Sequence, residues 1–189
     1  MRIYGKIKKT LMLTVAVLPL LLAGSCIPRY TLNGSSINYD IYKTVNVSDF
    51  PIRAALVYPP LQQTFENELL EYITHNTRLQ TVDGSSDLEL RGEITGYTLS
   101  PQAVGTDAYA TETRLTITVH VVYTDNKNPA NNIDQNFSAY RQFSSSLMLT
   151  DVQDDLCQQI SEELVTLIFN ATFGNWSVSY THLRAHETS

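Results

Sequence analysis

The chain has 189 residues, 43% of them apolar, with 13 basic against 19 acidic side chains and a net charge of −6. This size and apolar share suit a single domain with a real core. The acidic balance argues against nucleic acid, where a basic patch supplies most of the affinity, and gives no support for general adhesion to an anionic surface.

The first residues have three parts. Arg2, Lys6, Lys8 and Lys9 make a basic start, Leu11 to Leu22 is apolar except for Thr14 and Pro19, and Leu22-Ala23-Gly24-Ser25-Cys26 leads through small residues into a cysteine. An apolar run of about 12 residues is too short to span a bilayer core of about 30 Å as a helix. The order basic, apolar, small reads as a secretory signal over 1–25, to be set aside in reasoning about the fold. The cysteine makes the segment resemble the bacterial lipobox, in which the thiol is lipidated and becomes the new N-terminus. Ala23 stands where a large aliphatic residue is usual, and Leu22 lies one place earlier. The alternative is an ordinary secretory signal with Cys26 incidental. No acidic cluster follows the cysteine in Ile27-Pro28-Arg29-Tyr30. In Bacteroidetes lipoproteins an acidic stretch there tends to mark export to the cell surface, so retention on the periplasmic face is expected. Removing 1–25 takes away four basic residues and no acidic one, leaving nine against 19 and a net charge of −10. With Cys26 lipidated, Cys157 has no disulfide partner, and its place in an apolar helical pattern reads as a buried small hydrophobe.

Residues 26–40 read as a polar tether, with a turn at Asn33-Gly34. From 41 to 176 the patterns describe one α+β domain. Tyr42 to Phe50 alternates as a strand with Val45 and Val47 inward. Ala54 to Tyr58 is a second short apolar stretch before Pro59-Pro60. A helix follows, with Leu61, Phe65, Leu69, Tyr72 and Ile73 at three- and four-residue spacing and prolines in its first turn. Glu66, Glu68 and Glu71 form its expected solvated face. Arg78 to Val82 leads through Asp83-Gly84, a hairpin signal, into Leu88, Leu90 and Ile94 on one parity. Gly92 and Gly96 share that parity and point to bulges or close packing. Thr111 to Tyr123 is the clearest strand, with Leu115, Ile117, Val119 and Val121 alternating against Arg114, Thr116, Thr118 and His120. Ile133 to Phe143 is another, with Phe137, Ala139 and Phe143 on one face. A last helix carries Val152, Leu156, Ile160, Leu164, Leu167, Ile168 and Ala171 as its stripe. Thr150 and Gln153 have capping-box spacing, and Gly174 is placed to end it. Two amphipathic helices on one face of a mostly antiparallel, roughly four-stranded sheet follow from this order. The other sheet face is left polar and free for a partner. Residues 177–189 continue no pattern and read as a disordered or non-native tail.

Chemistry is thinly signalled. Asp151, Asp154 and Asp155 precede Glu162 and Glu163, but acids in a first helical turn are explained by the helix dipole. His120 reads as a surface histidine on a strand. His182 and His186 have zinc-ligand spacing without a third ligand. No nucleophile elbow or phosphate loop occurs. Neither a catalytic residue, a metal site nor a cofactor is expected. Arg91 and Arg114 both fall on the presumed open sheet face and could hold phosphate in a bidentate fork. Pairing of Arg91 with Glu89, Glu93 or a cross-strand acid is the plainer alternative.

Several stretches together resemble the lipopolysaccharide-assembly lipoprotein family, LptE, in its Bacteroidetes form. They are Asn33 to Tyr39, Leu56 to Leu61, Thr77-Arg78-Leu79, Asp87 to Tyr97, Arg114 to Val119, Ile168 to Thr172, and Asn175-Trp176. The resemblance runs from Cys26 to Trp176 and implies a non-enzymatic subunit of the outer-membrane lipopolysaccharide translocon. Such proteins assist assembly of the LptD β-barrel and plug its lumen, and some touch lipopolysaccharide directly. It also implies two helices on a four-stranded sheet, but it carries no lipopolysaccharide-contacting position over to this chain; Arg91 and Arg114 are candidates for lipopolysaccharide phosphates from their place on the open sheet face alone. The alternative is a stand-alone periplasmic lipid- or ligand-binding lipoprotein, which needs an apolar pocket between helices and sheet.

Overall fold

The computed structural model describes residues 37–103 and 110–174. The signal segment, Cys26, most of the tether and the tail with His182 and His186 lie outside them.

The described strands are β1 (Thr44–Val47), β2 (Gln80–Thr81), β3 (Leu88–Ala103), β4 (Ala110–Asp125) and β5 (Ile133–Ser144). The two helices are α1 (Pro59–Asn76) and α2 (Leu149–Phe169). They form an α+β domain whose five strands lie in the order β2-β1-β3-β4-β5. The pairings β3–β4 and β4–β5 are antiparallel, whereas β1 runs parallel to both β2 and β3. The sheet is therefore mixed and one strand wider than the patterns indicated. The extra strand is β2, whose two residues are too few for any periodicity to register. Its parallel pairing also corrects the Asp83-Gly84 expectation. Gly84 does turn the chain, at φ +96°, but β1 lies between β2 and β3, so the turn closes no hairpin. The stretch 54–58 forms no strand: Leu56 and Val57 are exposed, and Ile52 makes a single bridge to Ile94.

Strand β4 organises the core. Leu115, Ile117, Val119, Val121 and Tyr123 are buried beneath the helices, and the alternate residues line the opposite face. β3 keeps the same rule with one switch. Leu88, Leu90 and Ile94 face the helices, the register shifts between Ile94 and Gly96, and Tyr97 then becomes the inward residue. A bulge adds one residue and so reverses parity. Without it Tyr97 would point away from the helices. Gly92 also faces inward, and the ring of Phe50 covers it. A Cβ there would sit 2.1 Å from the His120 carbonyl and 2.6 Å from Phe50 Cε1. Phe50 in turn meets Phe65 of α1 edge-on, with ring centroids 5.2 Å apart.

The helices bury most of the expected stripes, with the correction that Leu167, placed on the α2 stripe, is exposed at the flank of the helix. α1 contributes Leu61, Phe65, Leu69 and Ile73, with its prolines in the first turn. α2 contributes Leu156, Ile160, Leu164 and Ile168, with Cys157 buried among them. Burial pushes that thiol up to about 11, so it is an inert apolar group. The capping box does not form. α2 begins at Leu149 after Met148, without a side-chain cap, and Gln153 instead donates to the Tyr97 hydroxyl at 2.7 Å. A π-helical turn over Asn170–Gly174 follows α2. Nor is the acidic face of α1 simply solvated. Glu66 accepts from the Phe50 N–H at 2.7 Å, and Glu68 accepts from Gln158 of α2 at 2.6 Å.

Gly92→Ala should lower stability by about 2–3 kcal/mol, because backbone and an aromatic ring confine the site. Urea unfolding measures this, and an unchanged midpoint would show that the close packing is not a constraint.

Candidate functional site

The face of the sheet away from the helices, which no described element covers, carries Glu89, Arg91 and Glu93 from β3. From β4 it takes Arg114, Thr116, Thr118 and His120, and from β5 Asp134, Asn136, Ser138, Tyr140 and Gln142. Cross-strand pairs tie these groups together. Thr118 and Ser138 hydroxyls lie 2.8 Å apart, Thr95 donates to the Thr118 carbonyl at 3.4 Å, and His120 Nε2 meets Asp134 at 2.8 Å. His120 is thus held by a carboxylate within a hydroxyl-rich surface.

The two arginines share this face but do not converge. Arg91 lies opposite Val122 and Arg114 opposite Ser100. Eight residues of β4 separate Val122 from Arg114, about 27 Å along the strand. Arg114 is already engaged. Its guanidinium carbon sits 4.2 Å over the Tyr140 ring. With the Gln142 amide oriented to satisfy both neighbours, it accepts from Arg114 at 3.1 Å and donates to Glu112 at 3.2 Å. Arg91 is the freer of the two. Glu89 accepts from Asn126 at 2.8 Å, and Glu93 pairs with Arg53 at 3.9 Å. Neither acid takes Arg91, which is exposed and has no partner among the described residues.

The α2 acids do not form a cleft. Asp154 accepts from the Tyr58 hydroxyl, and that bond, with burial, pushes Tyr58 up to about 12. Asp155 accepts from Gln159 at 2.8 Å, Glu162 accepts from Gln158 at 3.1 Å, and Glu163 pairs with Arg141. Among the described residues no three His, Cys, Asp or Glu side chains come close enough to hold a metal ion.

Two acids outside the expected set organise the end of the sheet where β1 and β3 begin. Asp125 is fully buried. It accepts from the Tyr42 hydroxyl at 3.0 Å, the N–H groups of Lys127 and Asn128 at 2.9 and 2.8 Å, and the Asn131 amide at 2.8 Å. Asp87 accepts from the N–H groups of Lys43 and Thr44 at 2.8 and 3.1 Å and pairs with Lys127 at 3.1 Å. The Lys43 N–H, foremost among these partners, holds its carboxyl at about 2. The turn-rich stretch Asp125-Asn126-Lys127-Asn128-Pro129 signals the first, since Asp side chains bond the backbone two and three residues on. Nothing local signals the second. Arg141 was also missed, although its parity with Phe137, Ala139 and Phe143 places it on the helix side.

Asp87 gives a pH-dependent expectation. A carboxyl lowered in the folded state adds stability that is fully present above its ordinary value near 3.8 and is lost as pH falls through about 2. Asp87→Asn should therefore cost roughly 2 kcal/mol near neutrality, with the gap to the parent closing as both are acidified. A gap that stays constant down to the acid limit would assign the loss to packing instead.

Two helices on one face of a five-stranded sheet whose other face is polar define an α+β domain with one broad hydrophilic surface. Residues 42–172 match the family model described as lipopolysaccharide-assembly, LptE. The chain belongs to this family, whose members are non-enzymatic lipoproteins involved in lipopolysaccharide assembly. No curated protein matches the chain. The solution structure of an uncharacterized lipoprotein B from Nitrosomonas europaea is similar at a TM-score of 0.50 and 15% identity, over 77% of this chain and 92% of that one. A minor lipoprotein from Acinetobacter baumannii gives 0.49 and 20%, over 71% and 95%. The rare lipoprotein B from Shewanella oneidensis gives 0.43 and 12%, over 67% and 89%. At such identities a likeness speaks for the fold alone, and here the first of the three carries it.

Proposed function

We propose that this lipoprotein is anchored through Cys26 to the periplasmic face of the outer membrane, where it assists assembly of the LptD-type β-barrel and plugs its lumen while lipopolysaccharide passes to the outer leaflet. Family membership supplies the process. The observation that carries the finer reading is the polar sheet face of β3, β4 and β5. The lumen of a membrane barrel is polar, so a body that enters it needs a hydrophilic surface. Among the described residues no helix is long and apolar enough to cross a membrane, and the lipid on Cys26 serves as anchor. Arg91 is the better placed of the two arginines to meet a lipopolysaccharide phosphate, because it is exposed and its neighbouring acids are engaged elsewhere. The side chains between helices and sheet favour this reading over a stand-alone lipid carrier. Leu90, Ile94, Val119, Ile160 and Leu164 are each fully buried in mutual packing.

A tagged chain purified from mild-detergent extracts of outer membranes should bring down one large β-barrel in stoichiometric amount, with lipopolysaccharide. Cys26→Ser should move the chain out of the membrane fraction. Arg91→Ala should leave the barrel bound and reduce the lipopolysaccharide retained. Recovery of the lipoprotein alone from healthy cells would overturn the plug and favour the solitary carrier.

A further inference from the structure

Both lysines of the chain beyond Cys26, Lys43 and Lys127, lie at one end of the body, where β1 and β3 begin and β4 ends. Arg78 joins them as the chain leaves α1. Contacts link the three. The Arg78 guanidinium carbon sits 5.7 Å over the Tyr39 ring, and the Lys43 ammonium donates to the Tyr39 carbonyl. Asp87 joins the Lys43 N–H at 2.8 Å to the Lys127 ammonium at 3.1 Å. All three basic side chains are exposed. Among them, in a turn closed by the Ile41 and Tyr42 N–H groups on the Asn38 carbonyl, Ile41 is 52% exposed. A large apolar side chain flanked by cations and a tyrosine is the make-up of a surface that sits in a lipid headgroup layer.

Charge is distributed unevenly along the body. The acids beside these cations are Asp40, Asp87, which Lys127 holds, and Asp125, which is buried. Elsewhere among the described residues four basic side chains stand against fourteen acidic ones. An anionic surface therefore repels the rest of the body and favours this end. The expected anchor leads to the same end. The described residues begin at Ile37, which is buried there, eleven residues after Cys26. Eleven residues reach at most about 40 Å. β3 spans 16 residues, about 50 Å, so a body standing on its far end would lie beyond the tether's reach.

We propose that Tyr39, Ile41, Lys43, Arg78 and Lys127 form a membrane-docking surface, which takes the anionic phospholipid headgroups of the leaflet that holds the Cys26 acyl chains. Ile41 enters the boundary of the acyl layer, while the ammonium and guanidinium groups stay at the level of the phosphates. The strands then rise steeply from the membrane, and docking sets the height and tilt at which the polar sheet face is presented. The inference rests on the lipid anchor at Cys26 and not on the barrel-plug reading.

The test uses the lipidated protein, reconstituted by itself into vesicles. With Cys157 buried, one introduced thiol takes a fluorophore selectively, either Gln80→Cys, exposed at the docking end, or Val57→Cys, exposed at the far end. A spin-label quencher on the lipid headgroups should dim the Gln80→Cys label and not the Val57→Cys label. The dimming should be about threefold stronger in vesicles with about one third phosphatidylglycerol than in phosphatidylcholine alone. Raising salt to about 1 M, where the Debye length falls to about 3 Å, should remove that difference. Lys43→Glu with Arg78→Glu, both at exposed positions, should remove it at low salt while the protein still floats with the vesicles. Flotation with neither label dimmed, with Val57→Cys dimmed the more, or with dimming at Gln80→Cys indifferent to lipid charge would overturn the docking surface and leave the anchor standing. Protein that does not float with vesicles would overturn the anchor, and this inference with it.

Discussion

Everything in this fold depends on the parity of β4. The strand is bonded along its length to β3 on one side and β5 on the other, so whichever way its alternate side chains point is imposed on both neighbours. Successive residues in a strand face opposite sides, and a slip of one residue would send Leu115, Ile117, Val119 and Val121 to water. Burying one such side chain contributes about 1.5–3 kcal/mol, so the row fixes the register far more firmly than any single hydrogen bond. The helices then have one face on which to pack, and the polar residues have one face to themselves. Where β3 must reverse parity to keep Tyr97 under the helices, it spends a bulge at Gly96.

The parallel side of the sheet rests on a different device. β1 pairs through only four residues, too short to hold its place by ladder bonds alone. Carboxylates fix it instead. Asp125, at the end of β4, receives the Tyr42 hydroxyl, and Asp87, just before β3, receives the N–H groups of Lys43 and Thr44. A fully buried carboxylate is costly unless its lone pairs are filled. The four donors at Asp125 meet that requirement and make the junction specific. Phe50 over Gly92 completes the attachment by seating the segment after β1 onto the sheet and against α1.

These differences explain what could be read from the chain. Alternation in β4 and β5 and the stripes of both helices were legible because burial imposes a period on the residues themselves. The close packing at Gly92 and the bulge at Gly96 were legible as glycines placed on an apolar parity. β2 was not, because two exposed residues carry no period and owe their pairing to β1. The parallel direction of β1 was not, since a short strand shows its faces but not its neighbour. Thr150 and Gln153 had the spacing of a cap, yet Gln153 found a better partner in Tyr97. On the candidate face the sequence placed Arg91 and Arg114 on the same side. Their separation along the strand, and the stacking of Arg114 on Tyr140, came only from cross-strand register. Arg141 is the instructive miss: a charged residue on an apolar parity marks where the core ends and a flank begins.

The functional reading turns on whether the polar sheet face is covered in the cell. Ser138 lies at its centre and Glu71 on the exposed surface of α1, so single cysteines at these positions separate the two surfaces. With Cys157 buried, each introduced thiol can be followed by its rate of labelling with a membrane-impermeant maleimide in the purified outer-membrane complex and in the free chain. The account predicts that association slows labelling strongly at Ser138→Cys and less at Glu71→Cys. Equal labelling of Ser138→Cys in the free and assembled protein would contradict it, because the face would then remain open to water and could not line a barrel lumen.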